Sequence, residues 1–205
     1  MQEIFYEECA DIQNKGSAKT KYIIFNILSI ISFVLLAAWI LFLIIGYEFS
    51  PNIIIDLIFI LLPSVAFLAC GIVLGKLKNK FYVDYDYTFV TGSVRFSKVI
   101  MNTSWQPIIE FETNDIEKLG LYNSPLYNKY LNYPDIIKDT LTSNVKPNEG
   151  KDFYYLVVNK DSDKFLFVLE CTKTFIVNIL KFSSKTILDE DFVKSLNSQK
   201  KIKGV

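Results

Sequence analysis

Two apolar runs, Tyr22 to Ile45 and Ile53 to Leu74, occupy most of the first third of the chain and limit what it can become. At about 1.5 Å of rise per residue, a helix through either run reaches across a hydrocarbon layer of roughly 30 Å. Neither run contains a lysine or arginine. Lys15, Lys19 and Lys21 precede the first, Lys76, Lys78 and Lys80 follow the second, and the connection from Tyr47 to Asn52 carries Glu48 and no base. This is the pattern of a transmembrane helical hairpin over residues 21–80, with spans near 22–46 and 53–75. Basic flanks mark the cytoplasmic side. The expectation is therefore a multi-pass protein of the cell membrane, with the lipid bilayer as a partner and both termini cytoplasmic. Residues 1–20 then form a short cytoplasmic tail and 81–205 a cytoplasmic domain.

The tail fits either a mobile terminus, one turn packed on the domain, or an acidic surface helix over Glu3 to Ile12 that anionic lipid would repel. Glu3, Glu7 and Glu8 near the start, and an apolar run that begins late and is long, do not make a signal peptide. Within the second run, Asp56 lies about one turn from the start, shallow enough to reach water. Pro63 is expected to kink the helix. Ser64, Gly71 and Gly75 are small residues that let another helix approach closely, either the hairpin's own first helix or that of a second copy in a homodimer.

From Phe81 the period changes to two. Phe81, Val83, Tyr85, Tyr87 and Phe89 alternate with Tyr82, Asp84, Asp86, Thr88 and Val90, which predicts a half-buried strand, and Val94 to Met101 returns after a turn at Thr91-Gly92-Ser93. Beyond a loop at Asn102 to Pro107, further strands are predicted at Ile108 to Thr113 and Ile116 to Tyr122. A second pair, Phe153 to Asn159 and Lys164 to Glu170, flanks the turn Lys160 to Asp163. Thr172 then stands as N-cap of a helix with Phe175, Ile176, Ile179 and Leu180 on one face. A second short helix is expected from Asp189, burying Phe192, Val193 and Leu196, before a fraying tail at Lys200 to Val205. The fold class is thus a membrane α-helical hairpin plus an α+β soluble domain. Its antiparallel sheet is pleckstrin-homology-like (PH-like) or a partly closed barrel, and a C-terminal amphipathic helix closes it.

Composition removes several functions. The 22 basic and 22 acidic residues cancel, whereas nucleic-acid binders show a basic excess. With no histidine, the commonest general base and metal ligand is missing, and Arg95, the sole arginine, is the one candidate for bidentate anion binding. Cys9, Cys70 and Cys171 have neither metal-ligand spacing nor an even disulfide framework. Cys171 precedes a predicted helix N-terminus, but with no histidine to pair with it reads as a structural thiol. Asp84 with Asp86, and Asp161 with Asp163, fall short of a calcium loop and read as acids on a solvated strand face and in a turn. No catalytic residues, cofactor or metal site are predicted, and nucleic acid is not an expected partner.

The residues Ile4-Phe5-Tyr6-Glu7, then Asp84-Tyr85-Asp86-Tyr87-Thr88-Phe89 with Gly92, Asp115-Ile116-Glu117 and the Phe165 to Leu180 strand-helix unit carry a resemblance over nearly the whole chain. The chain resembles an uncharacterised Firmicutes family of small membrane proteins with two transmembrane helices and a bacterial PH-like cytoplasmic domain. That resemblance implies architecture and no activity. It leaves a membrane-anchored interaction module without catalysis, binding a protein, peptide or lipid headgroup. The alternative is an accessory or structural subunit of a larger membrane complex whose contacts are made by the hairpin. A protein-partner surface has two candidate locations. One is Trp105, beside Pro107, which reads either as an exposed anchor for a partner or lipid headgroups or as packing over the barrel mouth. The other is the long insertion from Tyr122 to Asp152, with Tyr127, Tyr130 and Tyr133 between Pro125 and Pro134 and then Ile136, Ile137 and Leu141 at helical spacing. These tyrosines either face outward together or lie beneath a short helix that lids one end of the domain.

Overall fold

The computed structural model describes residues 4–48, 51–184, 186–189 and 192–193. Two units emerge, Asn14–Tyr82 on one hand and Met1–Gln13 with Val83–Val205 on the other.

The first unit is the helical hairpin. Helix α1 spans Lys15–Ile45 and α2 spans Ile53–Leu77, and both are long and apolar enough to cross a membrane. Asn14 and Asn52 cap them, each side chain accepting a backbone N–H of the first turn. Side chains around most of each helix are exposed, and the inward polar groups serve the pair itself. The Ser29 hydroxyl donates to the Gly71 carbonyl and that of Ser32 to the Phe67 carbonyl, both at 2.8 Å. Such bonds join helices where apolar contact alone gains little over lipid. Asp56 is buried and accepts from the Tyr47 hydroxyl at 2.6 Å, so it is shielded by a partner rather than open to water. Toward the other end, Lys78 donates to Asn26 at 2.7 Å.

The second unit holds two four-stranded sheets. Sheet A has the order β1-β2-β3-β4, from Phe5–Ala10, Val83–Val90, Ser93–Ile100 and Ser104–Glu112. Sheet B has the order β5-β7-β8-β6, from Ile116–Leu121, Asp152–Lys160, Asp163–Cys171 and Ile136–Thr140. Helix α3 covers Pro125–Leu131 and α4 Lys173–Phe182. All neighbours are antiparallel except β6 and β8, and the sheets do not close into a barrel. Two hairpins turn on consecutive residues with positive φ, Thr91-Gly92 and Asp161-Ser162, the geometry that matches the twist of flanking strands. The core lies between the sheets and beneath α4, and contains Tyr87, Phe89, Phe96, Leu119, Leu156, Phe167, Phe175 and Ile179. A smaller cluster of Tyr127, Ile136, Tyr155, Val157, Leu166 and Val168 lies under α3.

Four sequence expectations are corrected. The segment assigned to a tail contains an edge strand, because Phe5 to Ala10 pair with Val90 to Tyr85; Glu3 lies outside the described residues. The domain therefore includes residues on both sides of the hairpin rather than beginning at Phe81. Ile136 and Ile137, read with Leu141 at helical spacing, lie instead in β6 alongside β8, since burial of Ile136 against Leu166 and Val168 overrides the local pattern. The loop at Asn102 to Pro107 is mostly strand, and the chain turns at Met101 and Asn102, both with positive φ. Of the short helix expected from Asp189, Phe192 and Val193 are helical and Phe192 is buried, while Leu196 and the tail from Lys200 lie outside the described residues.

A buried polar network holds β1 in place. The Glu8 carboxylate accepts from the Thr172 N–H at 2.8 Å and the Thr172 hydroxyl at 2.9 Å, and pairs with Lys151 at 3.1 Å. Thr172 thus precedes α4 without a side-chain cap bond to it, because its hydroxyl serves Glu8. Fully buried Glu170 accepts from Thr142, Asn144 and the Asn148 N–H. Asn144 and Asn148 in turn donate to the Asp11 carbonyl.

Because β1 and β2 are antiparallel neighbours, the helical hairpin occupies the position of their connecting turn. Replacing residues 14–82 with a short Gly-containing turn is expected to yield a soluble domain with one cooperative thermal transition in circular dichroism. Starting the same domain at Phe81 should lower its melting temperature or leave it aggregated. Glu8→Ala in the joined domain should cost about 3 kcal/mol or more, as expected when one partner of a buried ion pair is removed. Denaturant titration reads that loss directly.

Candidate functional site

A cleft of about 500 Å³ opens where the two sheets of the domain part. One wall is the edge strand β4, from Pro107 to Glu110. The other comes from β6, whose Ile137 and Asp139 face the cleft as alternate residues of a strand, and from β8, which supplies Asp163, Phe165 and Phe167. Arg95, Lys160 and Asp161 complete the lining. Arg95 and Glu110 sit opposite each other on β3 and β4 and pair at 2.9 Å. The guanidinium holds the Glu110 carboxyl below the usual carboxylate range. Lys160 reaches across to the main-chain carbonyl of Glu110, so the β4 backbone is accessible from the cleft. The result is an apolar floor with an acidic rim.

A second hollow, of about 680 Å³, lies beside α3 and includes Glu117, Lys129, Tyr130, Tyr133, Asp135 and Lys164. Ser124 caps α3 by accepting the Tyr127 N–H at 3.1 Å, and Pro125 occupies the first turn. The helix carries Tyr127 inward. That ring is 6% exposed and packs against Tyr122 and Tyr155, and burial pushes its hydroxyl up to about 12. Tyr130 is half-buried and donates to Glu117 at 2.9 Å, while Tyr133 is exposed. Burial raises the Glu117 carboxyl, but Lys164 at 2.6 Å, Asn159 and Tyr130 together bring it below the ordinary value. Both Glu117 oxygens have partners, and the arrangement fastens α3 to sheet B.

The structure thus divides the predicted surface. Tyr127 is a lid residue and does not join Tyr130 and Tyr133 at the surface. Trp105 lies on β4 rather than in a loop, 61% exposed. Gly71 faces the first helix so closely that a Cβ would come within 2.8 Å of the Phe33 ring, and one at Gly75 within 3.3 Å of the Ser29 hydroxyl. Both glycines therefore serve the hairpin. Ser64 donates back to Ile60 of its own helix at 2.7 Å. Asp84 and Asp86 are buried rather than on a solvated face, and Asp84 accepts the Ile12 N–H at 2.7 Å. Cys171 is buried, with its thiol pushed well up by burial. Among the described residues, no three His, Cys, Asp or Glu side chains gather as a metal site. Ile137 and Asp139 escaped notice as cleft residues because β6 was not recognised; the β-branched pair Ile136-Ile137 was the available signal.

An open pair of mostly antiparallel sheets with a helix after the last strand has the layout of a PH-like domain, and the profile of one such family matches residues 2–189. The chain belongs to the bacterial PH-like domain family DUF6106. The match runs through the hairpin, so this DUF6106 chain carries the two apolar helices within the extent of its family profile. No curated protein and no solved structure matches the chain.

Truncation separates lid from surface. Tyr127→Ser should cost about 3 kcal/mol or more, as for other buried aromatics. Tyr133→Ser should stay within about 0.5 kcal/mol. Chemical denaturation of the two variants measures the difference.

Proposed function

We propose that this DUF6106 protein is a membrane-anchored interaction module, without catalysis, whose PH-like domain binds a protein partner at the cytoplasmic face. The observation that carries the reading is the disposition of the hairpin. Its exterior is apolar, while Ser29, Ser32 and Gly71 are spent on contacts between its own two helices. Such a pair is at home in lipid, and it anchors the domain through both β1 and β2. Among the described residues, the cleft between the sheets offers an apolar floor and strand edges and brings together no nucleophile with a base. That lining suits recognition.

The other reading is an accessory subunit of a larger complex, or a homodimer, held through the helices. It is weakened by the same glycines and serines, which are already used within the hairpin. Partners crosslinked in the native membrane decide between them. Exchanging residues 14–82 for an unrelated transmembrane hairpin should leave those partners attached. Their loss would favour the accessory subunit.

Orientation follows from the six flanking lysines. With the native cysteines changed to alanine, Glu48→Cys should react with an impermeant maleimide added to intact cells. Val145→Cys, at an exposed side chain of the domain, should react only after lysis. The opposite pattern would place the domain outside.

A further inference from the structure

The two sheets present four edge strands, β1, β4, β5 and β6. Two are occupied. Glu8 and the Cys9 carbonyl on β1 are held by Thr172 and Lys151. The flank of β5 is taken by Ile187–Asp189, where Leu119 donates to Ile187 and accepts from Asp189, both at 2.8 Å. The remaining two, β4 and β6, each have one neighbouring strand among the described residues, and both border the same cleft; on β4 a single contact, from Lys160 to the Glu110 carbonyl, lies along that edge. The cleft is therefore a seam between two open edges, of the kind that accepts an added strand.

Its lining selects the strand. Ile108, Ile109, Ile137 and Phe165 supply apolar lining. Arg95 and Glu110 neutralise each other. What remains at the rim is Asp139, Asp161 and Asp163 against Lys160 alone. Pro107 lacks an N–H and a bulge displaces the pairing at Ser97, so the first half of β4 is blunted as natural edges are. The stretch of β4 beyond the Ile108 bulge, Ile109 to Glu112, remains for pairing, and an added strand there displaces Lys160 from the Glu110 carbonyl.

Resting on the reading of this domain as a binding module, we propose that the β4–β6 seam takes an extended peptide segment of a partner protein. The segment alternates apolar residues with lysine or arginine and adds as a strand. Its apolar side chains fill the floor, its basic ones meet the aspartates, and its backbone pairs with the open edge. A module anchored at the cytoplasmic face meets such segments readily, because the flanks of transmembrane helices are rich in lysine and arginine.

The test uses the full chain in a non-ionic detergent and a fluorescent peptide of five Lys-Val repeats, with empty micelles as the blank. Saturable binding is expected by anisotropy, with slowed hydrogen exchange at amides of β4 or β6. A Glu-Val peptide should not bind. A Lys-Pro peptide, equal in charge but without the alternate backbone donors, should bind at least about tenfold more weakly. Asp139→Lys combined with Asp163→Lys should weaken Lys-Val binding by a similar factor, with the circular dichroism spectrum unchanged. Absence of Lys-Val binding, equal binding of the Lys-Pro peptide, or unchanged exchange at both strands would each overturn the proposal. If the domain keeps its crosslinked partners while the seam binds no peptide, the seam assignment fails and the module reading stands.

Discussion

The Glu8 carboxylate is the contact on which the domain's architecture depends. It lies on a six-residue strand at the N-terminal side of the hairpin, and its partners, Thr172 and Lys151, come from the far end of the chain. A buried carboxylate left without them would carry a large desolvation cost. Held by two hydrogen bonds and an ammonium group, it fastens β1 across the junction of β8 and α4. Sheet A acquires its fourth strand, and the main chain is obliged to leave the domain for the hairpin and come back beside the same strand.

This arrangement changes what the hairpin is. A pair of apolar helices preceding a domain is ordinarily a leash attached at one point. Here the helices replace the turn of a β-hairpin, so the domain is attached through two adjacent strands, and its folding needs segments separated by residues 14–82. Within the hairpin, Ser29 and Ser32 donate to carbonyls of the facing helix, and the two helices approach closely at Gly71. Each part can therefore meet its own solvent requirement while sharing one covalent path.

The same logic of satisfied edges points to the cleft. Sheet edges are costly to leave open, and two of the four are covered by local polar contacts. The parallel placement of β6 leaves the other two edges bordering one gap, whose Phe165 and Ile137 would otherwise be solvated. The tyrosine-bearing helix α3, by contrast, is fastened through Tyr127, Ser124 and Glu117, and its aromatic content is largely spent on packing.

Much of this was legible in the residues, and the division has a physical cause. Local periodicity alone identified the two membrane-length helices, strands β2, β3, β5, β7 and β8, both Gly- or Asp-containing turns and the apolar face of α4, because each of these is a relation among residues close in the chain. The resemblance to a bacterial PH-like family, carried by residues scattered from Ile4 to Leu180, also stood. The roles of Glu8, Asp84 and Glu170 were not legible, since a carboxylate reads as solvent-exposed until a distant donor is brought to it. β1 and β6 were missed for the same reason: one is short and acidic, the other mimics helical spacing, and each becomes a strand only by pairing with β2 or β8. The seam between β4 and β6 belongs wholly to the tertiary structure, because an open edge is defined by which strand fails to arrive beside it, and no single stretch of sequence contains that relation.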